Sequence, residues 1–126
     1  MKILIVENDP NPRELWAAAF RRERHEVQEA ASAQAARKAL ISGSFDLVLL
    51  DLYLGGGPGR AVAALATYAN PDCKMVLVAG AAGFSQARLM GLSPAVVSAL
   101  RKPVDIEHIM AVCQHVCLSR KAAAAS

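Results

Sequence analysis

Short branched apolar runs recur along the chain, each followed by polar residues and then by a stretch with helical spacing. Lys2–Val6 is the first run, and Glu7-Asn8-Asp9-Pro10 ends it with a helix-capping candidate ahead of proline. From Pro10 to Arg24, Leu15, Trp16, Ala19 and Phe20 form one apolar stripe with Arg13, Arg21 and Arg24 elsewhere, which predicts an amphipathic helix. His25–Ala30 reads as a second short strand. Ser32 is suited to cap a helix through Ala36, Ala39 and Leu40, with Gly43 expected in the left-handed position after it. Phe45–Asp51 is the clearest strand, a continuous apolar run of the kind buried on both faces of a parallel sheet.

The second half repeats the alternation. Gly55-Gly56-Gly57-Pro58-Gly59 reads as a loop, because so much Gly and Pro opposes regular structure. A small-residue helix is expected over Arg60–Tyr68, ended by Asn70-Pro71, then a strand over Lys74–Ala79 and a loop over Gly80–Gly83. Phe84–Met90 suits a short helix interrupted by Gly91 and Pro94, Val96–Leu100 a fifth strand, and Asp105–Leu118 a last helix with Ile106, Ile109, Met110, Cys113, Val116 and Cys117 at helical spacing. Residues 120–126 read as a disordered tail, with Lys121–Ser126 frayed. Strands alternating with helices predict a doubly wound α/β domain with a parallel sheet, because parallel neighbours need a crossover.

Composition narrows this picture. With 126 residues the chain has room for one domain of ordinary size. Its apolar share is 54% with only 5% aromatic, so close packing through alanine is expected, and 20% charged residues argue against disorder. No run is long enough for a membrane span, and Ile3–Val6 meets Glu7 too soon for a signal-peptide core. Three cysteines (Cys73, Cys113, Cys117) cannot form a closed disulfide framework, which suits a reducing, cytoplasmic setting. The net charge of +3 is too small to argue for nucleic acid, and Arg21, Arg22 and Arg24 lie where a helix C-terminus favours cations. Docking of an acidic partner is the alternative for that cluster.

In doubly wound sheets, ligands bind beyond the carboxyl ends of the strands. The residues there are Glu7, Asn8 and Asp9 after the first strand, Asp51 after the third, Ala79 after the fourth, and Lys102-Pro103 after the fifth. Acids from adjacent strands with a lysine converging from another are the parts of a divalent-metal and phosphoryl site. Asp51, ending a buried strand, is the natural nucleophile, since a carboxylate can become an acyl phosphate. Cys113 and Cys117 with His108 and His115 could be imagined as a metal set, but their apolar stripe favours core packing. The glycine run lacks the Gly-Lys-Ser/Thr of a nucleotide-binding loop.

The stretches Ile3-Leu-Ile-Val-Glu-Asn-Asp-Pro10 and Asp46-Leu-Val-Leu-Leu-Asp51-Leu, with Lys102-Pro103 and Asp105, resemble the receiver domain of bacterial two-component response regulators over about residues 2–118. The resemblance implies a flavodoxin-like fold of strand order 2-1-3-4-5 over residues 1–119. It makes Asp51 the phosphoacceptor, Lys102 the phosphate-contacting lysine, and Glu7, Asn8, Asp51 and the Tyr53 backbone carbonyl the Mg²⁺ ligands. Pro103 is expected to follow a cis peptide bond. The chain also departs from the pattern. Asn8 replaces the second acid, so Mg²⁺ should be held less tightly. Asp9 is read as a helix cap, with metal approach as its alternative. Ala79 replaces a hydroxyl residue and Ala99 an aromatic switch residue, leaving the glycine loops as candidates for readout. The implied role is a single-domain phosphoacceptor in a phosphorelay, not an enzyme. Its phosphodonor would be a histidine kinase or histidine phosphotransfer protein, and its output contact with a downstream protein, without direct binding of nucleic acid or membrane. A degenerate pseudo-receiver, binding protein without phosphorylation, is the alternative.

Overall fold

The computed structural model describes residues 1–53, 59–80, 82 and 84–125, with residues 124 and 125 described by backbone alone. The elements are β1 (Lys2–Val6), α1 (Pro10–Arg22), β2 (Glu26–Ala30), α2 (Ala33–Ser42), β3 (Leu47–Asp51), α3 (Gly59–Ala69), β4 (Lys74–Ala79), α4 (Gln86–Met90), β5 (Val96–Arg101) and α5 (Ile106–Ala125). All strands pair in parallel, in the order β2-β1-β3-β4-β5. The doubly wound, flavodoxin-like architecture and strand order are those expected from the sequence.

Alternation along the central strands divides the core in two, since successive side chains leave a strand on opposite faces. Leu4, Val6, Val48, Leu50, Met75 and Leu77 meet the alanine-lined helices α2 and α3 through Ala36, Ala39, Val62, Ala63 and Ala66. Ile3, Ile5, Leu47, Leu49, Val76 and Val78 meet the other pair of helices through Trp16, Phe20, Ile109, Cys113 and Val116. The alanine excess is therefore concentrated on one side of the sheet, where small side chains let α2 and α3 lie close.

Several boundaries differ from the sequence expectation. Helix α1 ends at Arg22, and Arg24 takes the left-handed conformation (φ 65°) that closes it, its N–H bonding Arg21 O. Leu15 is 53% exposed, because α1 turns Trp16, Ala17 and Phe20 inward instead. Gly43 is extended (φ −144°), not left-handed. Gly59 opens α3 instead of belonging to the loop, while the rest of that expected loop (55–58), and Ala81 and Gly83, lie outside the described residues.

Helix α5 continues through Ala125, where a disordered tail was expected from residue 120. Two causes are visible. An alanine run is the best helix former, and Arg120 ties the helix to the sheet by an ion pair with Asp46 (2.7 Å) and a hydrogen bond to Asp72 O (2.9 Å). Among the described residues no helix is long and apolar enough to cross a membrane.

Candidate functional site

Chain order and register bring the site together. From β1 the chain turns to β2 on one side, while β3 takes the other, so the topological switch lies between β1 and β3. Val6 is in register with Leu50, which puts Glu7 and Asp51 side by side in the next row. Lys102 follows β5, two strands from β3, a separation of roughly 10 Å. Its backbone N–H is fixed to Ala79 O at 2.8 Å. Its side chain reaches back across the end of β4, so Nζ stands 2.6 Å from Asp51 Oδ2 and 3.5 Å from Glu7 Oε2.

Both carboxylates are withdrawn from solvent: Glu7 is 0% exposed and Asp51 1%. Asp51 Oδ1 accepts the Tyr53 N–H at 3.0 Å, and Glu7 Oε1 accepts the Asp9 N–H at 3.1 Å. Burial, reinforced by the neighbouring Asp51 carboxylate, pushes the Glu7 carboxyl up to about 7, against the Asp9 N–H and Lys102, which favour its charge. At Lys102 burial acts to lower the pKa, but the hydrogen bond and charge of Asp51, with Glu7, outweigh it and raise it.

The other residues singled out from the sequence fall around this centre. Asn8 is exposed, next to Glu7 in the turn after β1. Asp9 caps α1, accepting the Asn11 N–H at 3.0 Å. Tyr53 is close to the carboxylate through its backbone, and the residue is 61% exposed. The Lys102–Pro103 bond is cis. Ala79 and Ala99 are both buried in the core on the α2–α3 side, and neither has a side chain that could hydrogen-bond. Cys113 packs in the opposite core, where burial pushes its thiol up to about 12, while His108 and His115 are exposed. They form no metal set with it.

The donor set fits a hard divalent cation. Glu7 Oε2 is buried without a hydrogen-bond partner, and two adjacent carboxylates face only one ammonium. Among the described residues no cluster of three His, Cys, Asp or Glu side chains exists. The remaining ligands would therefore be neutral oxygens, which suits an ion that commonly takes one or two carboxylates and keeps water or phosphate in its other positions.

Sequence reasoning missed Arg13. Its Nη1 donates to Glu7 O at 3.0 Å and its Nε pairs with Glu29 Oε1 at 3.4 Å. The available signal was a cation near a helix N-terminus, where the dipole disfavours it and a compensating acid is needed.

A doubly wound parallel sheet, with two buried acids and a lysine beyond its strand ends at the switch point, defines the class of α/β domain to which this chain belongs. The chain belongs to the response regulator receiver domain family, whose sequence profile matches residues 3–114. It is thereby a domain of two-component signal transduction, a family that works with kinases or phosphotransfer partners. It is 32% identical over 108 residues to the transcriptional activator protein PfeR of Pseudomonas aeruginosa, covering 86% of this chain and 35% of that protein. This chain thus spans about a third of that relative's length. Among solved structures, a CheY-like receiver domain protein from Methanospirillum hungatei shares the fold, with a TM-score of 0.81, 22% identity and coverage of 96% of this chain and 97% of that one. The response regulator TrrA from Thermotoga maritima, solved in complex with Mg²⁺ and BeF, has a TM-score of 0.76, 28% identity and coverage of 91% and 97%.

Proposed function

We propose that Asp51 accepts a phosphoryl group from a phosphohistidine donor and that the resulting change is passed on by protein contacts. The observation that carries this reading is the Lys102 ammonium 2.6 Å from the buried Asp51 carboxylate, with Glu7 beside it. An Asp51 oxygen attacks phosphorus, the P–N bond of the donor breaks, and its electron pair returns to the imidazole, leaving an acyl phosphate on Asp51. Lys102 is placed to follow a phosphoryl oxygen as charge moves away from the carboxylate. Glu7 and Asp51, with Asn8 and the Tyr53 carbonyl, would hold Mg²⁺. When bound, that ion neutralises phosphoryl oxygens. TrrA, a relative in fold solved in complex with Mg²⁺ and BeF, supports this reading. With Asn8 in place of an acid, binding should be weaker than at a site with three carboxylates.

Buried Ala79 and Ala99 favour a second reading, a pseudo-receiver that binds its partner without phosphate, because neither methyl group can register a phosphoryl oxygen. The two readings separate on one experiment. The chain is given Mg²⁺ with acetyl phosphate, beryllofluoride or a phosphohistidine protein, with Asp51→Asn as control. An Asp51-dependent mass or spectral change is expected. No such change with any donor would sink the phosphoacceptor reading and leave the pseudo-receiver.

A further inference from the structure

We propose that Arg13 is a positioning residue for the acidic turn after β1, acting from behind the site and never touching the ligand. Its side chain is 17% exposed and its guanidinium works in two directions, Nη1 onto the Glu7 carbonyl and Nε onto Glu29. Glu29 is itself held by Arg21 Nη1 at 3.2 Å, so β2 supplies a fixed anchor. In the same residue, the Glu7 carboxylate is tied by Oε1 to the Asp9 N–H. The turn is thus gripped at its carbonyl and at its carboxylate, leaving Oε2 without a hydrogen bond, 3.5 Å from Lys102 Nζ. This is the logic of an outer-shell contact: orientation of a ligating group is fixed by a neighbour, and loss of such neighbours costs about tenfold or more in metal affinity.

The inference rests on Glu7 as a cation ligand, as proposed above, and the sign of the effect isolates it. Arg13 is a cation on the backbone of Glu7, a residue proposed to hold the metal, so a purely electrostatic role predicts that Arg13→Ala tightens Mg²⁺ binding. A positioning role predicts the opposite. The test uses the full chain, comparing wild type, Arg13→Ala, Arg13→Lys and Glu29→Gln by amide hydrogen exchange at Asp9 without metal and by Mg²⁺ titration. Arg13→Ala should speed Asp9 exchange and weaken Mg²⁺ about tenfold. Arg13→Lys should recover part of both, and Glu29→Gln should shift both in the same direction by less.

Unchanged Asp9 exchange, or Mg²⁺ binding that is equal or tighter in Arg13→Ala, overturns the proposal. If Arg13→Ala does not fold, Glu29→Gln decides by Asp9 exchange alone, since losing its negative charge would weaken Mg²⁺ on electrostatic grounds too: faster exchange supports the proposal and unchanged exchange overturns it. If wild type shows no response to saturating Mg²⁺, the metal reading falls separately. The Asp9 amide then decides on positioning alone, faster exchange supporting it and unchanged exchange overturning it.

Discussion

Lys102 Nζ lies 2.6 Å from Asp51 Oδ2, a contact between side chains 51 positions apart in sequence that closes the crevice over β4. Because Glu7 is buried beside it, this ammonium is the counter-charge for two carboxylates. Lys102→Ala should therefore leave an uncompensated buried pair. Removing one partner of a buried ion pair costs about 3–5 kcal/mol. Lys102 is 38% exposed, so solvent screening reduces the expected loss to about 1–3 kcal/mol. Adding Asp51→Asn in the same background should restore most of it. Urea denaturation with a chelator present measures both, and a loss that Asp51→Asn leaves untouched would refute the charge-balance account.

Glu7 gives the metal-free protein a pH dependence of definite sign. Its folded-state carboxyl is raised from 4.5 to about 7, chiefly by burial. Between those values the folded state holds more protons than the unfolded chain, so stability falls as pH rises through that window. At about 1.4 kcal/mol per pKa unit the loss is on the order of a few kcal/mol. Glu7→Gln cannot titrate, so it should be the more stable protein at pH 8, with the difference closing towards pH 4.5. Denaturation midpoints across that range, in chelator, check this. Equal slopes for both proteins would contradict it.

The site was legible to the extent that it lies on the strand pattern. Glu7, Asp51 and Lys102 each follow an apolar run whose burial a parallel sheet requires, so their position beyond the strand ends followed from the runs. What escaped depends on the angle at which an element packs. Leu15 belongs to the apolar stripe by spacing, yet it is exposed because Trp16, Ala17 and Phe20 set the inward face of α1. Arg13 becomes informative only once Glu29 on β2 is placed opposite it. The end of α5 looked frayed because composition alone does not show that Arg120 meets Asp46.

That contact yields a prediction about order more than about global stability. Arg120→Ala removes the ion pair to Asp46 and the hydrogen bond to Asp72 O. Because the pair is about a third exposed on both sides, the expected loss is about 1 kcal/mol or less. Alanine is also the better helix former, so any loss must come from the clamp. Amide exchange should quicken in α5 beyond Leu118 while remaining unchanged around Ile109 and Cys113. Uniform protection along the helix in the variant would show that the clamp does not hold it.

Gly59 puts local propensity and packing in direct opposition. At the start of α3, alanine would be favoured over glycine by about 1 kcal/mol on helix propensity alone. A Cβ at residue 59, however, would come 2.7 Å from both Cα and O of Leu52, atoms of the backbone that cannot rotate away. The same segment is held by Leu52 N–H to Val78 O (3.0 Å) and Gly59 N–H to Leu52 O (3.1 Å), and it continues into the Tyr53 N–H that bonds Asp51. Gly59→Ala must therefore push on the chain that positions the carboxylate. We expect it to destabilise the protein by about 1–3 kcal/mol, the usual range for overpacking. It should also weaken any Asp51-dependent response to beryllofluoride, whereas Arg60→Ala, one residue on and exposed, should change neither. Thermal unfolding of the two variants decides the matter: a Gly59→Ala protein as stable as wild type, or more so, would mean that propensity wins and that the approach of α3 to Leu52 does not constrain the site.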